Sequence, residues 1–126
     1  MWKTSFAELA TRFSDEQLNR LHTALVADDP RLIQGTTTQP SPHLRNKEAI
    51  CEGACAVSFA VWTPGDTVET VEQAFSYVCE GYGVTRFIVW FDTTPREEAR
   101  AELAALIRGI LGDRATLLPP RELPGA

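Results

Sequence analysis

Asp92, Thr93 and Thr94 stand together where a strongly apolar run, Val84 to Phe91, gives way to a polar turn. A carboxylate beside two hydroxyls can serve as a base or ligate a cation, and the N–H groups that open a following helix can hold an anion. The β-branched and aromatic residues before Asp92, and Pro95 after it, read as a strand passing into a helix. That arrangement sets the three residues at the carboxyl end of a strand, beside the positive end of a helix dipole, where α/β proteins commonly bind ligands. A turn held by Asp92 and a helix capped by Thr94 explain the same residues without a ligand.

Other groups are weighed against Asp92. Gln34, Gly35 and the three hydroxyls of Thr36, Thr37 and Thr38 resemble part of a phosphate-holding loop, but lack the second glycine and the lysine that complete one. Thr36, Thr37, Thr38, Asp92 and Thr93 are therefore the candidate ligand-binding residues, and Asp92 with His43 the candidate catalytic ones. Cys51 and Cys55, four apart, would share a helix face or a strand face; with Cys79 and either His22 or His43 they are the candidate zinc ligands, although the paired C-x-x-C spacing is missing. Cysteines among alanine and valine more often serve as small buried hydrophobes. A Cys–His hydrolase needs an activating histidine and an oxyanion site, and neither is readable. No cofactor is expected.

The totals bound the rest. The chain has 126 residues, 44% hydrophobic and 23% charged, with a formal net charge of -5, enough for one domain with a real core. Residues 1–118 are expected to form it, with 119–126 a proline-rich tail. Twelve Lys and Arg scattered among acids form no basic stripe, which argues against nucleic acid and against an anionic membrane. The longest apolar run, Ala54 to Trp62, is far short of the roughly 20 residues that span a bilayer. Glu8 interrupts any signal-peptide core, and three cysteines make no disulfide framework, so a cytoplasmic location is expected.

The elements that must position these residues follow from spacing. Ser5 with Glu8 predicts a capped helix over about 6–13, and Ser14 with Gln17 a second one ending before Pro30, with Trp2 packed back on the corner. From Pro30 to Lys47 periodicity disappears; the segment reads as a long loop with Leu32 and Ile33 as a short strand, and such loops tend to be binding segments or mobile crossings. Ala49 to Trp62 reads as a helix from about Asn46, or as a strand over 57–62. Asp66 with Glu69 predicts a helix whose buried stripe is Val68, Val71, Phe75 and Val78, ended by Gly81 or Gly83. Arg86 to Phe91 reads as a strand because Phe87, Val89 and Phe91 alternate, with Ile88 and Trp90 on a second face that a helix or another chain must cover. Thr94 with Glu97 and Pro95 predicts a last helix, closed by Gly112, with Ala99, Leu103, Leu106, Ile107 and Ile110 inward and Arg96, Glu97, Glu98, Arg100 and Glu102 outward. Ala115 to Leu118 is then a short edge strand.

The expected fold is a helix-rich α+β domain of four or five helices with a small sheet that includes 86–91. The alternative is a compact α/β unit with a right-handed βαβ crossover over 57–91. Two functions fit: a non-catalytic domain working through a protein partner or self-association, and a small-molecule or anion-binding domain, or an enzyme, in which Asp92 and the Thr36–Thr38 loop converge. Asp92 near that loop inside a cavity favours the second.

Overall fold

Helix signals govern this chain more completely than its β-branched and aromatic runs imply. The computed structural model describes residues 2–39, 48–81 and 83–117, and among them lie six helices and one two-stranded sheet. The order is α1 (Trp2–Ala10), α2 (Asp15–Ala27), β1 (Thr38–Gln39), β2 (Gly53–Ala54), α3 (Ala56–Val61), α4 (Val68–Cys79), α5 (Thr85–Thr93) and α6 (Arg96–Leu117). The broad expectation, helix-rich with a small sheet, holds; the helix count is higher, and the sheet is elsewhere. His43 and the 119–126 tail lie outside the described residues, as does most of the second half of the Pro30–Lys47 loop.

The run 86–91 is α-helical. Its alternation was ambiguous because Phe87 and Phe91 are four apart as well as two steps of a strand, so both readings bury them. Val89 separates the two: a strand would bury it with the phenylalanines, yet it is 54% exposed while Phe87 and Phe91 are 1% and 3% exposed. Thr93 Oγ1 donates to Val89 O at 2.7 Å, a bond back to the preceding turn. The face of Trp90 is covered, as it had to be, by α1: the rings of Trp2 and Trp90 stack at 3.6 Å and 4°, and Phe6 meets Phe87 at 4.8 Å.

With 86–91 helical and 56–61 helical, the βαβ crossover over 57–91 does not form. Nor does one helix run through 49–62, since 49–55 is not helical; Asn46, its expected start, lies outside the described residues. Gly53–Ala54 instead pairs antiparallel with Thr38–Gln39, and Ala54 also bridges Leu32 in parallel. Ala54 N donates to Arg31 O at 2.8 Å and Ile33 N to Ala54 O at 2.9 Å, so the short strand expected at Leu32 and Ile33 is reduced to a single isolated bridge. Glycine at 53 has a packing reason, since a Cβ there would sit 3.1 Å from Arg31 O. Cysteine 55 then starts α3, a helix of six residues buried almost throughout.

Capping decides the remaining boundaries. Ser14 and Gln17 form the expected reciprocal box at α2, and Asp28, at φ 53°, ends it in a left-handed turn before Pro30. Ser5 does not cap: it lies inside α1 and its Oγ donates to Gly83 O at 2.8 Å, tying α1 to the entry of α5. At α4 the cap is Thr67, whose hydroxyl accepts from Thr70 N, and Asp66 holds the preceding turn by accepting from Thr63 N. Gly81, at φ 82°, turns the chain after α4 as expected. Gly112 does not stop α6, which continues to Leu117, so 115–117 is helical and not part of an edge strand; Leu118 lies outside the described residues.

Arginines explain that extension. Helices α1 and α2 have no basic residue in their own last turns, where carbonyls lack intrahelical partners. Helix α6 supplies the cations: Arg114 donates to Ala10 O, Phe13 O and Asp15 Oδ1 at 2.8, 3.0 and 2.7 Å. Arg100 donates to Leu25 O and Val26 O, and Arg96 to Asp28 Oδ1 and Asp29 O. Arg96 and Arg100 are thus not part of a merely solvated face. Beneath them Leu103 and Ile107 are fully buried, and α6 packs along α2 as α1 packs along α5.

Candidate functional site

Asp92 closes α5 rather than opening a helix. It sits in the last turn, at the negative end of that helix's dipole, and not at the carboxyl end of a strand as expected. The loop after β-bridge residue Leu32 folds onto this helix end. Gln34 Nε2 donates to Phe91 O at 2.6 Å and to Thr94 O at 2.8 Å, and Gly35 N donates to Asp92 Oδ1 at 2.9 Å. Gln34 therefore supplies the cap that α5 lacks in its own sequence. Gly35 makes the approach at φ 91°, a conformation side chains disfavour.

Between this loop, α3, α4 and α5 lies a cavity of about 120 Å³. Phe75, Phe87, Ile88, Phe91, Ala56 and Val57 form its apolar wall, and Gly35, Thr36, Thr37, Cys55 and Asp92 its polar side. The sequence thus pointed to two parts of one site, Asp92 and the threonine loop, and the fold brings them together. It does not bring in all the candidates. Thr38 is fully buried in β1, its hydroxyl donating to Glu72 Oε2 at 2.7 Å, and Thr93 faces outward in its bond to Val89 O.

Polar capacity remains on the cavity wall. Thr36 Oγ1 is engaged with Thr38 O at 3.3 Å. Among the described residues, the Thr37 hydroxyl and the second carboxylate oxygen of Asp92 make no hydrogen bond. The Cys55 thiol donates to Ser58 Oγ at 3.5 Å, and burial, opposed by the bonds to Ser58 and reinforced by the negative charge of Asp92, pushes its pKa up. It is a protonated thiol at neutral pH, suited to packing and weak donation rather than to nucleophilic attack.

The other candidates are dispersed. Cys51 precedes β2, with its thiol against Gly53 O at 3.2 Å, and Cys79 ends α4, where burial and the neighbouring Cys55 push it up to about 11. The described residues hold no group of three His, Cys, Asp or Glu able to bind a metal ion. His22 is on α2, with Nε2 3.4 Å from Arg108 Nη2, and does not line the cavity.

Gln34, read in the sequence only as the start of a loop resembling a phosphate holder, gave no sign of capping α5, and Phe75 carried no functional signal. A glutamine before a glycine reads as turn, and Phe75 as one member of a buried stripe. Compared with known proteins, the chain matches no family model, no curated protein and no solved structure. No described helix is long and apolar enough to cross a membrane.

Proposed function

We propose that the cavity between the Gly35–Thr37 loop and α5 is a binding site for a small molecule with a compact apolar body and a hydrogen-bond-donating head. The observation that carries this is Asp92, which lines a largely apolar cavity with one oxygen held by Gly35 N and the other unengaged. A mostly apolar pocket with a few convergent polar groups is the usual form of a ligand site. An apolar cavity of about 150 Å³ accepts benzene, so about 120 Å³ suits a body of roughly five or six heavy atoms. The head is a donor, not an anion, because Asp92 is a carboxylate and the α5 terminus beside it is negative.

Isobutylamine, isobutanol and isobutyrate have nearly the same shape and differ in the head. Followed by the Gly35 amide resonance, the amine should bind best, the alcohol more weakly, and isobutyrate should leave that resonance in place. Asp92→Asn should lower the amine's affinity by about tenfold, the worth of one charge-assisted hydrogen bond. Equal affinity of amine and alcohol, unaltered in Asp92→Asn, would reject the role given to the carboxylate.

Contact with a protein partner or with a second copy of the chain is a second reading. Val89, 54% exposed beside the half-buried Trp90, and Tyr77, 72% exposed, support it. Sedimentation velocity across a concentration series, repeated with Val89→Lys, tests self-association through α5: a dimer that the substitution leaves intact argues against that face.

A further inference from the structure

Arg20, on α2, and Trp62, at the end of α3, flank Phe59 at a second cleft that shares no lining residue with the Asp92 cavity. It measures about 350 Å³ and is lined by Arg20, Thr23, Asp29, Arg31, Phe59 and Trp62 among others. Trp62 meets Phe59 edge-on at 5.5 Å and 82°, giving an aromatic corner. Two guanidinium groups lie against it: Arg31 at 5.6 Å from the Trp62 ring and 5.8 Å from Phe59, and Arg20 at 5.9 Å from Phe59.

The two arginines are not equivalent. Arg31 donates through Nε and Nη2 to the two oxygens of Asp29 at 3.0 and 2.6 Å, so its charge is matched. Arg20 has no carboxylate within ion-pair distance among the described residues. In a chain of net charge -5 the cleft therefore carries one local positive charge in excess. Trp62 adds an unmet donor: the residue is only 3% exposed, and among the described residues its indole Nε1 is the one buried side-chain polar atom without a hydrogen-bond partner. Buried polar groups are almost always paired, and an N–H can be satisfied only by an acceptor.

We infer that this cleft binds a small monocarboxylate with a planar apolar body. Arg20 meets the charge, the indole N–H of Trp62 donates to the carboxylate, and the body lies against Phe59, with the Thr23 hydroxyl a further donor at the wall. One uncompensated guanidinium matches one negative charge; a phosphate dianion would bring a second charge for which Arg31, held by Asp29, is not free. A cleft of this size suits an aromatic acid.

Benzoate is the probe, and benzamide its neutral isostere. In ¹H–¹⁵N spectra of the full chain, the Trp62 indole resonance, identified by its contacts to the Phe59 ring, should move saturably with benzoate while those of Trp2 and Trp90 stay. Benzamide should bind at least tenfold more weakly, and Arg20→Gln, on a half-exposed side chain, should weaken benzoate at least fivefold with the spectrum otherwise preserved. Thr23→Val should cost less. A Trp62 resonance that does not respond to benzoate, or responds equally to benzamide or in Arg20→Gln, overturns the assignment. The Gly35 amide, which reports the other cavity, should be unmoved by benzoate, so the two proposals fail separately.

Discussion

Cys55 has Ser58 on one side and the carboxylate of Asp92 on another, and burial outweighs both in setting its ionisation. Cys51 and Cys79 are raised by the same principal cause, with Cys79 reaching about 11. The thiolate is the reactive form, so all three cysteines should be slow as well as sheltered. With a thiol-exchange reagent at pH 8, three equivalents should react in denaturant, and in the native protein the reaction should be slower by about tenfold or more. A cysteine that reacts natively at the unfolded rate would contradict the placement of that side chain. What the sequence showed as candidate nucleophiles or ligands are, by position, small residues in the core or packed against it, and of the three Cys55 lines the cavity. The same reasoning leaves Asp92 as the group with chemistry to offer, because one of its oxygens is free and it borders the cavity.

Helix α5 is the element on which sequence and structure part most sharply, and its assignment can be tested. If 85–93 is helical, Val89 is on the outside, and Val89→Lys should change stability by no more than about 0.5 kcal/mol, as surface substitutions do. Phe87→Ala, in the core beside Phe6, should cost about 3 to 5 kcal/mol. Denaturant midpoints of the two variants decide it: comparable losses would restore a strand that buries 87, 89 and 91 together. The ambiguity is physical, since Phe87 and Phe91 satisfy both periods and aromatic, β-branched residues favour strands in isolation. The stack of Trp2 on Trp90, formed across more than eighty positions, resolves it, and no local window contains that information. Elements with self-contained signals were legible: Ser14 with Gln17 starts α2, and Leu103 and Ile107 face inward on α6. Boundaries set by distant partners were not, as with Gly112, beyond which Arg114 holds α6 to the ends of α1 and α2. The candidate site was half legible for the same reason. Asp92 and the threonine loop stand out by composition, but Gln34 and the cavity wall exist only once α5 is folded.

At the scale of the whole molecule, titratable groups in different elements favour the folded state over the same window of pH. Asp28 and Asp29 are held below the usual carboxylate value, chiefly by hydrogen bonds from Arg96 and Arg31 respectively. A depressed folded pKa gives stability that is present above the unfolded value and lost as pH falls through the folded one, so these pairs should fail below about pH 4. His22 is also lowered, first by burial and then by Arg108. Because the unfolded chain takes up that proton first, stability should begin to fall as pH drops below about 6.5, before the carboxylates contribute. The thiols act from the other side. Their folded pKa values are raised, so the unfolded chain ionises first and stability should decline as pH rises above 9.0, continuing toward about 11 for Cys79. Urea midpoints measured from pH 3 to 10 should therefore be highest between about pH 7 and 8.5, with a shallow first loss on acidification and a steeper one near pH 4. His22→Gln should remove the shallow step and leave the steep one, since His22 bonds to Arg108 and to neither aspartate pair. A profile in which the first acid loss survives that substitution would place its source elsewhere.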